Sequence, residues 1–378
     1  MSLTGISCVP LVAMRPRSPV ADVRVALLKH APEVMVETRG GYTILDPAGN
    51  KVLSEGRRLP ETRFSLDGHY ITVGPKRFDV EHLRLSASRE IVLSLNGMKR
   101  RFRGDIDFIR NPEGTLLVVN RLDVEDYIRG VLYHEISHRW PMAAMKAQAV
   151  AARSYALYQK KANAHKRYDL TSDIYSQVYG GKTSEKYRTN LAVERTRGEV
   201  LMFRGRLVPA YFHSTCGGHT ENVTELWTHP DLPPLKGVPC RFCFHSPHYY
   251  WERKISLADI REKLNTPSRP VKKINDIYIT GRNASGRIRT LKIVQKNDAV
   301  ITVSGKDFRQ AIGPNLIKSN NYRVHLAGDS AVFNGKGWGH GVGLCQWGAQ
   351  KMAQQGYDYR AILEYYYPHA VVMPYPGS

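Results

Sequence analysis

Asp123-Val-Glu-Asp-Tyr-Ile-Arg-Gly-Val-Leu-Tyr-His-Glu135-Ile-Ser-His-Arg-Trp140-Pro141 decides how this 378-residue chain is read, because strand-like alternation gives way there to helical spacing. Asp123 is a good N-cap. Glu125 and Asp126 occupy the first turn, where the helix dipole favours negative charge, so the pattern predicts a helix to about Glu135. Proline suits the first position of a helix, and Trp140-Pro141 predicts a second one. Ala143, Ala147, Val150, Ala151, Ser154, Leu157 and Tyr158 then fall on one small, mostly apolar face.

Upstream, residues 21–110 read as short strands broken by Asp46-Pro-Ala-Gly-Asn50, Asp67-Gly68 and Asn96-Gly97, which are hairpin signals. They predict a small all-β domain ending near Asn111-Pro112, after an unstructured or trimmed segment 1–20. Downstream, 196–215 and 275–335 return to strand-like alternation, and a closing helix from about Cys345 to Gln355 stops at Gly356. The expected fold class is α+β: a mainly antiparallel sheet with a few functional helices in a catalytic domain over 111–378, preceded by the β domain.

Fifty-five Lys and Arg against 34 Asp and Glu leave a net charge of +21. Such an excess suits a polyanionic neighbour: nucleic acid, an anionic membrane surface or an acidic cell-wall polymer. The densest basic cluster, Lys99-Arg100-Arg101-Phe102-Arg103, is short, which favours a diffuse field over a dedicated nucleic-acid arm. No apolar run approaches the roughly 18 residues of a membrane-spanning helix. Met1 to Met14 has no Lys or Arg before Cys8, so no export signal is evident; the chain stays inside, or its export segment is missing or trimmed.

Glu135 is the most informative residue. Val124, Ile128, Val131 and Glu135 lie within roughly 60° of one another around a helix, so a carboxylate continues an apolar stripe. Burial of that kind raises a carboxyl pKa toward what a general acid needs, unless the helix end lets Glu135 reach solvent, Arg139 or Arg153. His134-Glu135-Ile136-Ser137-His138 also matches the H-E-x-x-H pattern of zinc peptidases, with Asp169 or Asp173 as a third ligand. That chemistry needs a continuous helix, which Trp140-Pro141 threatens to interrupt.

The five Cys, at 8, 216, 240, 243 and 345, are too few and odd in number for a disulfide framework. Cys240-Arg-Phe-Cys243 has the spacing of half a structural zinc site, and Cys216 lies upstream with His213, His219 and His245 nearby in sequence. We expect a structural zinc held by Cys216, His219, Cys240 and Cys243; free thiols, or a 240–243 disulfide in an exported chain, are the alternatives. Gly335-Lys-Gly-Trp-Gly-His-Gly-Val-Gly343 lacks the Lys-Ser/Thr of a P-loop. Its glycines permit close backbone approach, either to a ligand or within a tight crossover, while Trp338 could stack on a sugar and His340 could exchange a proton.

Taken together the segments resemble the stage II sporulation protein D family, which includes amidase enhancers. The resemblance lies in 124–137, in Trp140 to Tyr155, in Asp173-Ile-Tyr-Ser-Gln-Val-Tyr-Gly-Gly181, and in Tyr211-Phe-His-Ser-Thr-Cys-Gly-Gly218. It continues in Gly337-Trp-Gly-His-Gly-Val-Gly-Leu-Cys-Gln-Trp-Gly-Ala349, with Tyr365-Tyr-Tyr-Pro368 close behind. It implies a lytic transglycosylase of the bacterial cell envelope acting on peptidoglycan strands stripped of stem peptides, with no metal in the chemistry. By motif position Glu135 would be the single acid and base, and Gln148, Arg153, Gln177, Tyr179, His213, Ser214, His340 and Gln346 would contact substrate, as would Trp338. It equally allows a non-catalytic wall-binding partner of an N-acetylmuramoyl-L-alanine amidase.

Overall fold

The computed structural model describes residues 21–173, 176–228, 231–296 and 298–376. The expectation for segment 1–20, and Cys8 with it, lies outside these residues. The described chain forms two compact units: one runs through Arg139 and adds Ala152–Val200 and the residues from Pro374, the other holds Trp140–Ala151 and Leu201–Met373.

Two mostly antiparallel sheets make the body of the first unit. One has seven strands in the order Leu170–Thr171, Asp22–Ala31, Leu116–Asp123, Asp105–Arg110, His82–Ala87, Tyr42–Asp46 and Lys51–Gly56. The other has six: Met98–Phe102, Ile91–Leu95, Glu33–Thr38, Leu59–Asp67, Tyr70–Val73 and Lys76–Phe78. Phe64 and Phe108, both buried, stack with ring centroids 4.4 Å apart. The expected hairpins form where the turn residues place them. At Asn96-Gly97 both residues take positive φ, 50° and 76°, between paired Leu95 and Met98.

Asn111-Pro112 behaves differently from the expectation. It lies in the turn between Asp105–Arg110 and Leu116–Asp123, which pair antiparallel, so the same sheet continues through the predicted junction. The all-β region therefore feeds directly into helix α1 (Val124–Glu135) without leaving its compact unit. The fold class is α+β, as expected.

Helix α2 (Met142–Ala162) follows, its first residues in the second unit and its remainder in the first. Every residue from Ala147 to Leu157 is buried, so the helix is enclosed on all sides and not on the single face its spacing suggested. Its alanines make that possible by keeping the helix thin. Helix α3 (Tyr187–Glu194) completes the first unit.

The second unit contains α4 (Leu257–Leu264), α5 (Gly305–Ile312), α6 (Gln346–Gln354) and α7 (Tyr359–Tyr366). Of these the sequence reading anticipated only α6. Strands Tyr250–Ser256, Ser330–Lys336 and Tyr322–Ala327 form one antiparallel sheet, and Ile274–Arg282, Ile288–Gln295 and Val300–Ser304 another. Trp251, Leu291, Phe308 and Phe333 lie in the core around them. A separate core gathers Val150, Leu201, Val342, Ile362 and Tyr366 around four cysteines.

Candidate active site and cysteine centre

In the first unit Glu135 is the last residue of α1 and half-buried. Asp123 starts that helix, its Oδ1 accepting from Glu125 N at 2.8 Å. The buried stripe Val124, Ile128 and Val131 fixes the helix against the sheet, with buried Tyr127 in its first turn. Tyr127 OH donates to Gln177 Oε1 at 3.0 Å. Burial pushes its ionisation well above the usual phenol range, with the charges of Tyr155 and Glu135 adding to the effect. Tyr179 OH donates to Asn120 Oδ1 at 2.8 Å, and its ring lies 5.2 Å from that of Tyr127.

Gln177 and Tyr179 are buried and committed to these bonds, so they buttress α1. The two glycines after Tyr179 have the same purpose. Gly180 N donates to Gly130 O on α1 at 3.2 Å, and a Cβ at Gly180 would overlap Ser184 Oγ and His134 Nε2. Those two atoms themselves bond at 2.6 Å.

Arg153 stands elsewhere than the substrate surface expected for it. It has no exposed area, and its guanidinium grips both oxygens of Glu125, at 2.8 and 2.7 Å, while reaching Glu199 O at 2.9 Å. The H-E-x-x-H pattern is also broken by geometry: α1 stops at Glu135 with extended Ile136 as its C-cap, so His138 is not one helical turn from His134.

In the second unit the strand Phe212–His213 pairs parallel with Leu344–Cys345, which sets His213 opposite Cys345 and Ser214 beside α6. Ser214 O accepts from Trp347 N at 3.1 Å, and Gln346 Nε2 donates to Gln148 Oε1 at 3.4 Å. His213 Nδ1 bonds Val342 O at 3.1 Å, so that nitrogen carries the proton. Its buried Nε2 has no hydrogen-bond partner. His340 accepts from Val342 N at 3.0 Å, and its ring lies 5.6 Å from that of His213 and 5.3 Å from Trp227. Burial, then the charges of Arg309 and Arg287, pushes His340 down to about 3, so it is neutral at any physiological pH. The glycines around it serve the chain's own packing: a Cβ at Gly343 would strike Tyr211 O. Thus His213, Ser214, His340, Gln346 and Gln148 gather in one unit, Glu135, Gln177 and Tyr179 in the other.

Cys216, Cys240, Cys243 and Cys345 are all buried, and their sulfurs lie within 4.8 Å of one another. This corrects the expected ligand set. His219 is not part of the cluster, and Cys345, distant in sequence, completes the four sulfurs. The four thiols suit a soft metal: tetrahedral Zn–S bonds of about 2.3 Å need sulfurs about 3.8 Å apart, and Cys216 and Cys243 stand at 3.4 Å.

The architecture defines an α+β protein with a half-buried glutamate ending α1 and a buried four-cysteine cluster. A family model described as stage II sporulation protein matches residues 112–203, and a domain of unknown function matches 244–343. The chain belongs to the stage II sporulation protein D family. It is 31% identical over 264 residues to the stage II sporulation protein D of Bacillus amyloliquefaciens, covering 66% of this chain and 74% of that one. An uncharacterised protein of Brachyspira hyodysenteriae is 38% identical over 283 residues, 75% of this chain and 74% of its own. The amidase enhancer of Bacillus subtilis is 28% identical over 291 residues, 66% of this chain and 40% of its own.

Proposed function

We propose that the protein acts on the bacterial cell wall as a lytic transglycosylase, cleaving peptidoglycan strands between N-acetylmuramic acid and N-acetylglucosamine. The observation that carries this reading is the position of Glu135, a half-buried carboxylate ending α1 in the family-matched segment, on the helix whose first turn the buried Tyr127–Gln177 bond holds. Protonated Glu135 gives its proton to the glycosidic oxygen as the C1–O bond breaks. The resulting carboxylate takes the proton of the muramic acid 6-hydroxyl, whose oxygen closes onto C1. The products are a free 4-hydroxyl and a 1,6-anhydro ring, no water is consumed, and one carboxylate suffices because the substrate supplies the nucleophile. The chain would work in the cell envelope, where its +21 charge suits anionic wall polymers.

Cys216, Cys240, Cys243 and Cys345 would hold a structural zinc. A closed four-thiolate site has no open position for substrate, so its contribution is to pin 216–243 against the start of α6. The name of the Bacillus subtilis relative favours a second reading, in which this chain binds wall and stimulates an amidase. Digestion of peptide-stripped glycan decides between the two. Anhydro-muramic ends that disappear in Glu135→Gln support the enzyme; reducing ends, or full activity in the variant, contradict it.

A further inference from the structure

The sulfurs of the cysteine centre have polar donors of their own. Cys240 Sγ lies 3.2 Å from the hydroxyl of Tyr366 on α7, and Cys345 Sγ accepts from Cys216 N at 3.3 Å. Tyr366 is 1% exposed, and the sulfur is the one partner of its hydroxyl among the described residues. A thiol is a weak acceptor, whereas a thiolate draws such donors strongly. The approach of the hydroxyl is built into α6: a Cβ at Gly348 would overlap Tyr366 Oη and touch Cys240 Sγ.

Arg287 comes to the same centre from the segment 244–343, which matches the domain of unknown function. It is 1% exposed, and its guanidinium donates to Cys216 O at 2.7 Å and to His219 O at 2.9 Å, so it closes over the loop that carries Cys216. A Cβ at Gly341 would overlap this guanidinium, which accounts for one glycine of the 335–343 run. Arg287 makes no ion pair among the described residues; Ser285 Oγ stands between it and Glu221, at 3.2 and 2.9 Å. Its Nε is buried and has no hydrogen-bond partner. Carbonyls and a hydroxyl are neutral acceptors, so a fully buried guanidinium needs negative charge nearby. Four thiolates around a divalent metal leave a double negative charge, which supplies it.

We propose that Arg287 and Tyr366 are positioning residues of a metal centre: Tyr366 donates a hydrogen bond to the Cys240 thiolate, while Arg287 holds the Cys216 loop and offsets the charge of the four sulfurs. The proposal rests on the reading of the cysteines as a zinc site. It also gives the 244–343 segment a part in the protein. With Arg287 in place, metal binding and the packing of that segment against 216–219 support each other.

The test titrates the full chain, stripped of metal by chelator and kept reduced, with cobalt(II), whose visible bands report tetrahedral sulfur ligation. Zinc then displaces the cobalt to give its own affinity. The parent should bind one cobalt. Tyr366→Phe and Arg287→Met should each weaken metal binding about 10–100-fold with the four-sulfur bands retained. Each should also lower the melting temperature more in excess zinc than in chelator, where a purely structural residue lowers both equally. Tyr366→Phe removes one hydroxyl from a packed ring, so it carries the test even if Arg287→Met does not fold. Arg287→Lys, which keeps the charge and loses the fork over two carbonyls, then takes the place of Arg287→Met. Parent affinity in a variant, or equal losses of melting temperature with and without metal, overturns the assignment of that residue while the centre stands. A parent chain that takes up no cobalt refutes the metal centre itself.

Discussion

Arg153 and Glu125 form a two-pronged ion pair wholly out of solvent, with the guanidinium on α2 and the carboxylate in the first turn of α1. Gly198 N also donates to Glu125 Oε1 at 2.9 Å, and Arg153 reaches Glu199 O, so the pair ties two helices to the chain segment after α3. Through α1 it sets where Glu135 stands.

Removing one partner strands a buried charge. Arg153→Ala should cost about 3–5 kcal/mol in urea unfolding, and Glu125→Ala a similar amount. Replacing both by Met and Leu should recover much of the loss. A cost for Arg153→Ala below about 1 kcal/mol would contradict the burial of the pair.

Glu135→Gln should lower kcat on peptide-stripped glycan by about 10²–10⁴-fold while the unfolding midpoint stays put, since the group is at a helix end and half-buried. Quantifying anhydro ends by mass spectrometry and melting by circular dichroism separates the two effects.

Metal content distinguishes the ligand set read from sequence from the one the fold assembles. We expect one zinc per chain, kept in His219→Ala and lost in Cys345→Ser, with chelation lowering the melting temperature. Full zinc in Cys345→Ser would remove that residue from the site.

Asp123 gives a pH signature. Burial raises its carboxyl from 3.8 to about 6, against the hydrogen bond from Glu125 N, with Glu125 and Asp126 adding to the rise. The fold thus favours the protonated form: the stability it contributes is complete below pH 3.8 and is lost as pH rises through about 6. Asn caps a helix as well as Asp. Asp123→Asn should therefore match the parent near pH 4 and exceed it above pH 7 by about 1 kcal/mol, discounted for partial exposure. Parallel stability curves across that range would contradict the shift.

Gly180→Ala tests the buttress. Its methyl would meet Ser184 Oγ and His134 Nε2, so we expect a loss of about 1–3 kcal/mol and reduced activity through displacement of the α1 end. Ser184→Ala in the same chain should return part of both, since it removes one of the clashing atoms.

Much was legible from local chemistry alone. The turn pairs at Asp67-Gly68 and Asn96-Gly97, the cap at Asp123 and the stop at Gly356 are short-range demands that neighbouring residues settle, and all four stand as read. Glu135 could be singled out because an acid on an apolar stripe conflicts with its surroundings at the level of spacing. Tertiary structure decided the rest. Arg153 has the look of a substrate contact in its motif, and only packing shows Glu125 waiting for it 28 residues away in sequence. Cys345 joins Cys216 because two short strands pair in parallel, bringing together residues 129 apart in sequence, while the nearer His219 stays outside the cluster. Spacing along the chain records what a backbone can do locally; which donor meets which acceptor across it is settled by the cost of leaving either one buried and alone.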